Sequence, residues 1–240
     1  PPYHPISMGA IGGEASRHLF KPLRRSPIHE WTDANGGSWE PVGDWRRPYC
    51  YQHDGESVTD AVHREINQTR TSVSILDAST LGKIIVKGPD AGKFLDMLYT
   101  NMISSLKVGR CRYGLMCSEN GFLSDDGVVA RLDEETFLCH TTSGGSDRIH
   151  AWMEEWLQTE WWDWEVYTAN VTEQYAQIAL VGPNARKVIE KMGVEGMDVS
   201  AEHMPFMSFA NGKIAGIQAR PFRISFSGEL SFEIAVPAAK

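Results

Sequence analysis

One arrangement of residues occurs twice in this chain and limits the folds that it can adopt. Residues 83–98 read as a β-strand, a Gly-Pro turn and then a helix, and residues 177–192 repeat that order 94 residues later. In both copies the proline occupies a turn or first-helical position. A solenoid would repeat at a much shorter period, so the spacing predicts two similar αβ halves built around antiparallel sheet.

A β-hairpin is predicted between the two copies. Residues 111–118 alternate in polarity, and residues 122–132 continue as a partner strand after an Asn120-Gly121 turn. Asn211-Gly212 is expected to form a second turn between strands. Further strands are predicted at residues 72–77, 136–141, 205–210 and 213–219, with a strand pair in 221–236 and helices from Ser57 and near 147–158. The prediction is an α+β fold dominated by antiparallel pairs.

Residues 1–56 are rich in proline, glycine, tryptophan and arginine and show no sustained period. We expect an irregular but packed segment there, because Trp31, Trp39 and Trp45 need partners for burial.

Composition excludes several classes of protein. The 240 residues carry 23 Lys and Arg against 31 Asp and Glu, a formal net charge of -8, whereas nucleic-acid binding needs a basic face. No apolar run approaches the roughly 18 residues that cross a membrane. The four cysteines form no CxxC pair and the eight histidines form no HxxxH or HExxH motif. We therefore expect reduced thiols, a cytoplasmic protein and no metal site.

Acidic residues are concentrated in residues 117–165, which hold twelve acids and only Arg131 and Arg148 as bases, a balance of -10. Two interpretations stay open. The segment is either an ordinary solvated face or a docking surface for a basic partner subunit.

Asp125 and Asp126 are the first candidates for chemistry. Adjacent strand residues point to opposite faces, so only one of the two can enter a given pocket. A two-residue turn would place Asp125 opposite Met116, with Tyr113 on the other face of the sheet. A three-residue turn or a bulge would instead put Tyr113 and Asp125 on one face. A solvent-facing acidic pair at a strand end is the alternative interpretation.

Glu229 is the second candidate, because it follows Gly228 in a tight turn. Its two carboxylate oxygens would suit a planar edge with two parallel N–H donors, such as a pterin ring. Phe222 and Phe226 could supply faces for stacking. An ion pair between Glu229 and Arg223 explains the same residues equally well.

Five segments, in their order and spacing, resemble the folate-binding aminomethyltransferase family, which includes the T-protein of the glycine cleavage system. They are Arg-Ser-Pro-Ile-His-Glu-Trp at 25–31, Gly-Gly-Ser-Trp-Glu-Pro-Val-Gly-Asp-Trp at 36–45, Asp-Ala-Ser-Thr-Leu-Gly-Lys at 77–83, Gly-Phe-Leu-Ser-Asp-Asp at 121–126 and Ser-Gly-Glu-Leu-Ser-Phe-Glu at 227–233. The initial Pro-Pro-Tyr and the Arg-Arg-Pro-Tyr at 46–49 further resemble the alpha subunits of heterotetrameric sarcosine oxidases.

The resemblance implies roles for five residues. The first aspartate of the Asp-Asp pair, Asp125, would be the catalytic carboxylate near the folate N10, and Tyr113 would be the pocket tyrosine. Glu229 would bind the pterin by two hydrogen bonds. Phe222 stands where many relatives have a tyrosine against the folate, and Leu81 stands where many T-proteins have methionine.

The resemblance also implies an architecture. Residues 1–25 would be a linker from a dinucleotide-binding half, and residues 26–240 an incomplete folate-binding domain that stops before the family's C-terminal barrel. The expected substrate partner is tetrahydrofolate. The whole enzyme would bind FAD, FMN and NAD outside this chain and include beta, gamma and delta subunits.

Three functions follow from the resemblance. The first is one-carbon transfer to tetrahydrofolate during oxidative demethylation of sarcosine. A free-standing T-protein or another folate-dependent demethylase is a close alternative. The third is a non-catalytic assembly module, which would leave Asp125 and Glu229 exposed and apart rather than lining one cavity.

Overall fold

The computed structural model of the protein describes residues 23–240 and Met8, so most of the predicted linker lies outside the described residues. The strands are β1 Arg24–Arg25, β2 Gly37–Val42, β3 Trp45–Tyr51, β4 Ser74–Asp77, β5 Gly82–Lys87, β6 Cys111–Cys117, β7 Leu123–Arg131, β8 Thr136–Thr141, β9 Tyr167–Asn170, β10 Tyr175–Val181, β11 Val194–Glu195, β12 Ser208–Phe209, β13 Gly212–Ile214, β14 Ile217–Arg223 and β15 Ser231–Pro237. The helices are α1 His29–Ala34, α2 Val58–Thr71, α3 Ala91–Leu98, α4 Ser146–Thr159 and α5 Ala185–Ile189, with a short 3₁₀ helix at Thr172–Gln174.

The strands form two large antiparallel sheets and one small sheet. The five-stranded sheet has the order β6-β7-β8-β5-β9, and the seven-stranded sheet has the order β11-β13-β14-β15-β10-β4, with β12 paired to β14. The small sheet, β1-β3-β2, replaces much of the irregular segment expected before Ser57. The predicted α+β fold with antiparallel pairs is confirmed.

The repeated segments are β5–α3 and β10–α5, and each repeated strand lies inside one of the large sheets. The strand that precedes each of them is exchanged between the halves. β4 precedes β5 in the sequence but pairs with β10, and β9 precedes β10 but pairs with β5. The two halves are therefore similar, as predicted, but each sheet needs a strand from the other half.

Equivalent hydrogen bonds fix the two exchanged strands. After β4, the Ser79 hydroxyl accepts the backbone N–H of Gln177 in β10 at 2.9 Å. After β9, the Thr172 hydroxyl accepts the backbone N–H of Lys83 in β5 at 3.0 Å. Lys83 and Gln177 are 94 residues apart, as are the repeats themselves. The repeat is thus preserved in side-chain chemistry as well as in strand order.

Three apolar clusters organise the fold in layers. One lies between the five-stranded sheet and helices α3 and α4, and includes Phe94 and Met153. A second lies between the seven-stranded sheet and α5, and includes Ile189 and Phe232. The third joins the two sheets face to face and includes Phe222. The order of layers is helix, sheet, sheet, helix, which buries both faces of each large sheet.

Polar side chains are buried on the same inter-sheet faces. Gln177 Nε2 donates to Glu233 Oε2 at 2.5 Å, and His140 Nδ1 lies 3.0 Å from the carbonyl oxygen of Val128. Nε2 of His140 and Oε1 of Gln177 have no hydrogen-bond partner among the described residues. Burial, with a contribution from the nearby Lys83 charge, lowers the pKa of His140 to about 4. The imidazole is therefore neutral at pH 7.

Two local predictions are only partly right. Asn211-Gly212 lies at the junction of strands β12 and β13, as predicted, but a second turn at Ala215-Gly216, with φ of 50° and 77°, divides the single strand predicted at residues 213–219. Helix α2 begins after the predicted Ser57 cap, whose hydroxyl accepts the Asp60 N–H, but the apolar side chains of Val58 and Ile66 on this helix are exposed. Short turns tolerate several glycine placements, and pattern alone does not select between them.

The glycine at the end of each repeated strand is expected to be indispensable. Gly182 has φ of 130°, and a Cβ there would lie 2.4 Å from the carbonyl oxygen of Ser72. We predict that Gly182→Ala lowers the free energy of unfolding by about 3 kcal/mol or more. Gly121→Ala, with φ of 79° and no atom within 4 Å, should cost only about 1 kcal/mol. Urea unfolding of both variants measures the difference, and equal losses would contradict the close approach.

His140 should make the fold sensitive to mild acid. The unfolded state binds a proton below pH 6.5, whereas the folded state resists protonation down to about pH 4. Stability should therefore fall as pH falls from 6.5 to 4, by about 3 kcal/mol from this residue. His140→Gln removes the titrating group. Parallel unfolding curves for the wild type and the variant across that pH range would contradict the prediction.

Candidate active site

The β6–β7 hairpin carries three of the residues considered from sequence. Cys117 pairs with Leu123, as a three-residue turn predicts, but a bulge between Met116 and Cys117 shifts the ladder, so that Met116 pairs with Asp125 as in the two-residue case. Tyr113 and Asp125 therefore lie on opposite faces of the sheet. The side chain that shares the face of Tyr113 is Asp126. The expectation that Tyr113 and Asp125 line one pocket is wrong.

Asp125 points toward the start of helix α4 and is 3% exposed. Its carboxylate accepts the Thr142 backbone N–H at 3.0 Å, the Thr142 hydroxyl at 3.2 Å and Arg148 Nη2 at 3.3 Å. It also accepts the Asp126 N–H at 2.8 Å. A Cβ on Gly145 would lie 1.8 Å from Oδ2. These donors satisfy the carboxylate and leave little room for a ligand, so Asp125 anchors the β8–α4 loop.

Tyr113 and Asp126 form the accessible pair on the other face. The tyrosine hydroxyl donates to Asp126 Oδ2 at 2.7 Å, and Tyr113 is 50% exposed. That hydrogen bond to a carboxylate raises the pKa of Tyr113, because ionising the phenol would remove it. The pair offers a ligand one aromatic face, one hydroxyl and one carboxylate at the surface. A carboxylate in this position can stabilise a positive charge or accept a proton.

Glu229 forms an ion pair that the sequence did not indicate. Arg70 Nη1 donates to Glu229 Oε1 at 2.9 Å and to the carbonyl oxygen of Ser227 at 2.9 Å. Arg223 instead donates to a backbone carbonyl, with its guanidinium 5.3 Å from the ring centre of Phe206. The interpretation that paired Glu229 with Arg223 is wrong. One oxygen of Glu229 remains outside these contacts.

Phe222 and Leu81 occupy interior positions. Phe222 is fully buried, with its ring centre 5.2 Å from that of His140 and 5.7 Å from that of Phe209. The carbonyl oxygen of half-buried Leu81 accepts Lys83 Nζ at 2.8 Å. Burial lowers the pKa of Lys83 to about 8, although Glu233 and Asp77 oppose that shift. Phe222 therefore packs the core, and Lys83 holds the loop that contains Leu81.

Met207 is a residue that the sequence analysis missed. Its φ of 59° is unusual for a residue other than glycine. Its carbonyl accepts the N–H of Cys111 at 2.8 Å, and its N–H donates to the carbonyl of Arg223 at 2.8 Å. It thereby joins β6 of one sheet to β14 of the other. The sequence pattern around Met207 predicts an ordinary strand and gives no sign of this junction. Strained backbone of this kind often lies at functional sites.

The structure therefore gathers only part of the predicted site. Tyr113 and Asp126 meet, whereas Asp125 and Glu229 share no hydrogen-bond partner within residues 23–240.

Over the same residues, no group of three or more His, Cys, Asp or Glu is placed to hold a metal ion. None of the helices in this part of the chain is both long and apolar enough to span a membrane.

Comparison with known proteins defines the family. Residues 28–240 match the family described as the GCVT N-terminal domain. The chain belongs to this family. The GCVT assignment agrees with the layered fold, the repeated αβ unit and the resemblance carried by the five sequence segments.

Two relatives and one solved structure place the chain within the GCVT family. It is 50% identical over 238 residues to sarcosine oxidase subunit alpha of Corynebacterium sp. (strain U-96), covering 99% of this chain and 25% of that subunit. It is 31% identical over 218 residues to an aminomethyltransferase of Listeria monocytogenes serotype 4b (strain CLIP80459), covering 90% of this chain and 56% of that protein. The crystal structure of the glycine cleavage system aminomethyltransferase T from Bartonella henselae has a TM-score of 0.76 and 25% identity, covering 90% of this chain and 54% of that one. The chain thus spans about a quarter of the length of the sarcosine oxidase subunit.

The two aspartates of the hairpin should differ in their effect on stability. Asp125→Asn replaces an acceptor oxygen with a donor facing Thr142 and Arg148, so we expect a loss of about 2–4 kcal/mol. Asp126 is half-buried, and an asparagine there would still offer an oxygen to accept the Tyr113 hydroxyl. Asp126→Asn should therefore cost less than about 1 kcal/mol. Thermal and urea unfolding of the two variants provide the comparison. A larger loss for Asp126→Asn would reverse the assignment of Asp125 as the structural member.

Proposed function

We propose that this chain binds tetrahydrofolate and transfers a one-carbon unit as the folate domain of a sarcosine oxidase alpha subunit. The observation that carries the proposal is 50% identity to such a subunit over 99% of the chain, within a family shared with aminomethyltransferases. Sarcosine would be oxidised to its imine in another part of the enzyme. Tetrahydrofolate would accept the methylene carbon of that imine, giving 5,10-methylenetetrahydrofolate and glycine.

The Tyr113–Asp126 pair suits a folate substrate. Folate has flat aromatic rings and ring nitrogens that become positively charged when a one-carbon unit is attached to them. The exposed Tyr113 ring offers a surface for stacking, and the Asp126 carboxylate offers the negative charge that such a nitrogen needs. The strand geometry holds both groups on one face without further ordering, which lowers the entropic cost of binding.

We propose Asp126, rather than Asp125, for the catalytic role. Asp125 already accepts hydrogen bonds from four donors and faces helix α4, whereas Asp126 faces Tyr113. A carboxylate that is surrounded by protein donors cannot approach a substrate without breaking those bonds. We retain Glu229 and Leu81 as proposed folate contacts, with Arg70 orienting the Glu229 carboxylate. Phe222 would act indirectly, by packing beneath the site.

The whole enzyme would supply what this chain does not. FAD, FMN and NAD would bind outside residues 26–240, and the beta, gamma and delta subunits would complete the assembly in the cytoplasm. The proposed domain division, with a linker at residues 1–25, rests on the same relatives, whose alpha subunit is about four times as long.

A free-standing aminomethyltransferase is the second candidate. The 31% identity to the aminomethyltransferase of Listeria favours it, because that match covers 90% of this chain. Both candidates require tetrahydrofolate and differ in the donor of the carbon. A non-catalytic assembly module is the third, and predicts no folate binding at all.

Calorimetric titration with tetrahydrofolate tests the proposal. We expect the wild-type chain to bind, and Asp126→Asn to weaken binding about tenfold, a change of about 1.4 kcal/mol, because it removes the charge opposite the folate nitrogen. Tyr113→Phe should weaken binding less, since it keeps the ring. Glu202→Gln removes one exposed carboxylate far along the chain and serves as the charge-matched control.

The outcomes separate the candidates. Binding that Asp125→Asn weakens and Asp126→Asn leaves unchanged, with both variants folded by circular dichroism, would return the catalytic role to Asp125. Absence of binding both in this chain and in the complete alpha subunit would support the assembly module. Transfer of carbon from sarcosine, rather than from an aminomethyl carrier protein, would separate sarcosine oxidase from a free-standing aminomethyltransferase.

A further inference from the structure

A groove beside the five-stranded sheet lies within the acidic segment 117–165 and extends to Thr168, away from the candidate folate residues. It runs between the C-terminal half of helix α4 and the segment that leads into strand β9, with a volume of about 600 Å³. We call it the aromatic–acidic groove. Its lining residues are Glu154, Leu157, Gln158, Trp162, Asp163, Trp164, Glu165, Val166, Tyr167 and Thr168.

Two large aromatic side chains of the groove are exposed to solvent. Trp162 is 76% exposed and Tyr167 is 72% exposed, whereas the neighbouring Trp161 and Trp164 stack at 5.0 Å and pack against the core. Exposed aromatic rings around a concave surface are typical of interaction sites, because their burial by a partner is strongly favourable. Trp161 and Trp164 therefore support the core, whereas Trp162 and Tyr167 are accessible to a partner.

Two carboxylates of the groove have no ion-pair partner within the described chain. Residues 146–168 carry six acids and one base, Arg148. Among residues 23–240, Asp163 and Glu165 form no ion pair, and Glu154 has only His150 at 3.8 Å. Carboxylates beside aromatic faces form the two halves of a cation-binding surface, one through charge and the other through the ring quadrupole.

One ammonium group already uses this chemistry beside the groove. Lys93 Nζ, which comes from helix α3, lies 3.7 Å from the ring centre of Trp164. The contact shows that a lysine fits against the indoles of this segment. The outer face of Trp162 presents the same ring type with no such cation among the described residues.

The backbone beside the groove favours an extended partner. Strand β9 contributes Tyr167 and Thr168 to the lining and is the end strand of the five-stranded sheet. One edge of β9 therefore has no strand partner within residues 23–240. An extended segment that pairs with such an edge gains main-chain hydrogen bonds, while its alternate side chains enter the groove.

We propose that the aromatic–acidic groove binds an extended, lysine- or arginine-rich segment of a partner protein. Basic side chains would lie on Trp162 and Tyr167 and pair with Asp163 and Glu165. A second copy of this chain is a poor occupant, because a symmetric contact would set two surfaces of the same negative charge against each other. The proposal does not depend on folate binding, since no candidate folate residue lines the groove.

A synthetic peptide tests this proposal on the 240-residue chain. The probe is a capped twelve-residue peptide of alternating lysine and valine, and its counterpart alternates glutamate and valine. We expect the lysine peptide to bind with one-to-one stoichiometry by calorimetry and the glutamate peptide not to bind. Trp162→Ala should weaken the lysine peptide at least tenfold, although the exposure of Trp162 means that the variant should still fold, as circular dichroism can verify.

Matched charge variants distinguish a built groove from a merely acidic protein. Asp163→Asn with Glu165→Gln removes two charges from the lining and should weaken binding at least tenfold. Glu155→Gln with Glu160→Gln removes two charges nearby but outside the lining and should change affinity less than twofold. Equal losses in the two double variants, or no binding by the wild type, would overturn the proposal. A wild-type dimer that Trp162→Ala converts to a monomer in sedimentation would assign the groove to self-association instead.

Discussion

Strand exchange between the two halves is the constraint on which the rest of the structure depends. Neither β5 nor β10 takes its preceding strand as a neighbour, so each large sheet is complete only when both halves are present. The hydroxyls of Ser79 and Thr172 hold the crossing chains to Gln177 of β10 and Lys83 of β5. The two sheets are thereby tied together on either side of the inter-sheet cluster that contains Phe222.

The packing between the two sheets determines which polar side chains can reach solvent and a substrate. The interior faces of the sheets hold Phe222 and His140, which fill the space between them. The β6–β7 hairpin extends this surface to a position where Tyr113 is half exposed, and there the strand alternation presents Asp126 to the outside. The candidate site thus lies at the edge of the inter-sheet layer, where polar side chains replace the apolar side chains of the core.

Sequence patterns predicted the frame of the molecule better than its contacts. The repeat and the Ser57 cap are local signals, and each appears in the structure as expected, whereas the turn at Asn120-Gly121 also includes Glu119 and is followed by a bulge. The choice between Asp125 and Asp126 depends on the register of one ladder, which the sequence left open because either loop length fits the same residues. The Arg70–Glu229 ion pair joins residues 159 positions apart. No local pattern reports such a contact, and the same is true of the strained backbone of Met207.

The exchanged strands have a consequence for synthesis on the ribosome. Asp77 of β4 pairs with Ile178 of β10, and Ile84 of β5 pairs with Asn170 of β9. The ribosome releases the N-terminal end first, so β4 and β5 leave it long before β10 and β9, the strands with which they pair, have been synthesised. The nascent first half therefore presents two unpaired strand edges until the second half has been translated. Both large sheets accordingly stay open to wrong pairing until β10 has left the exit tunnel.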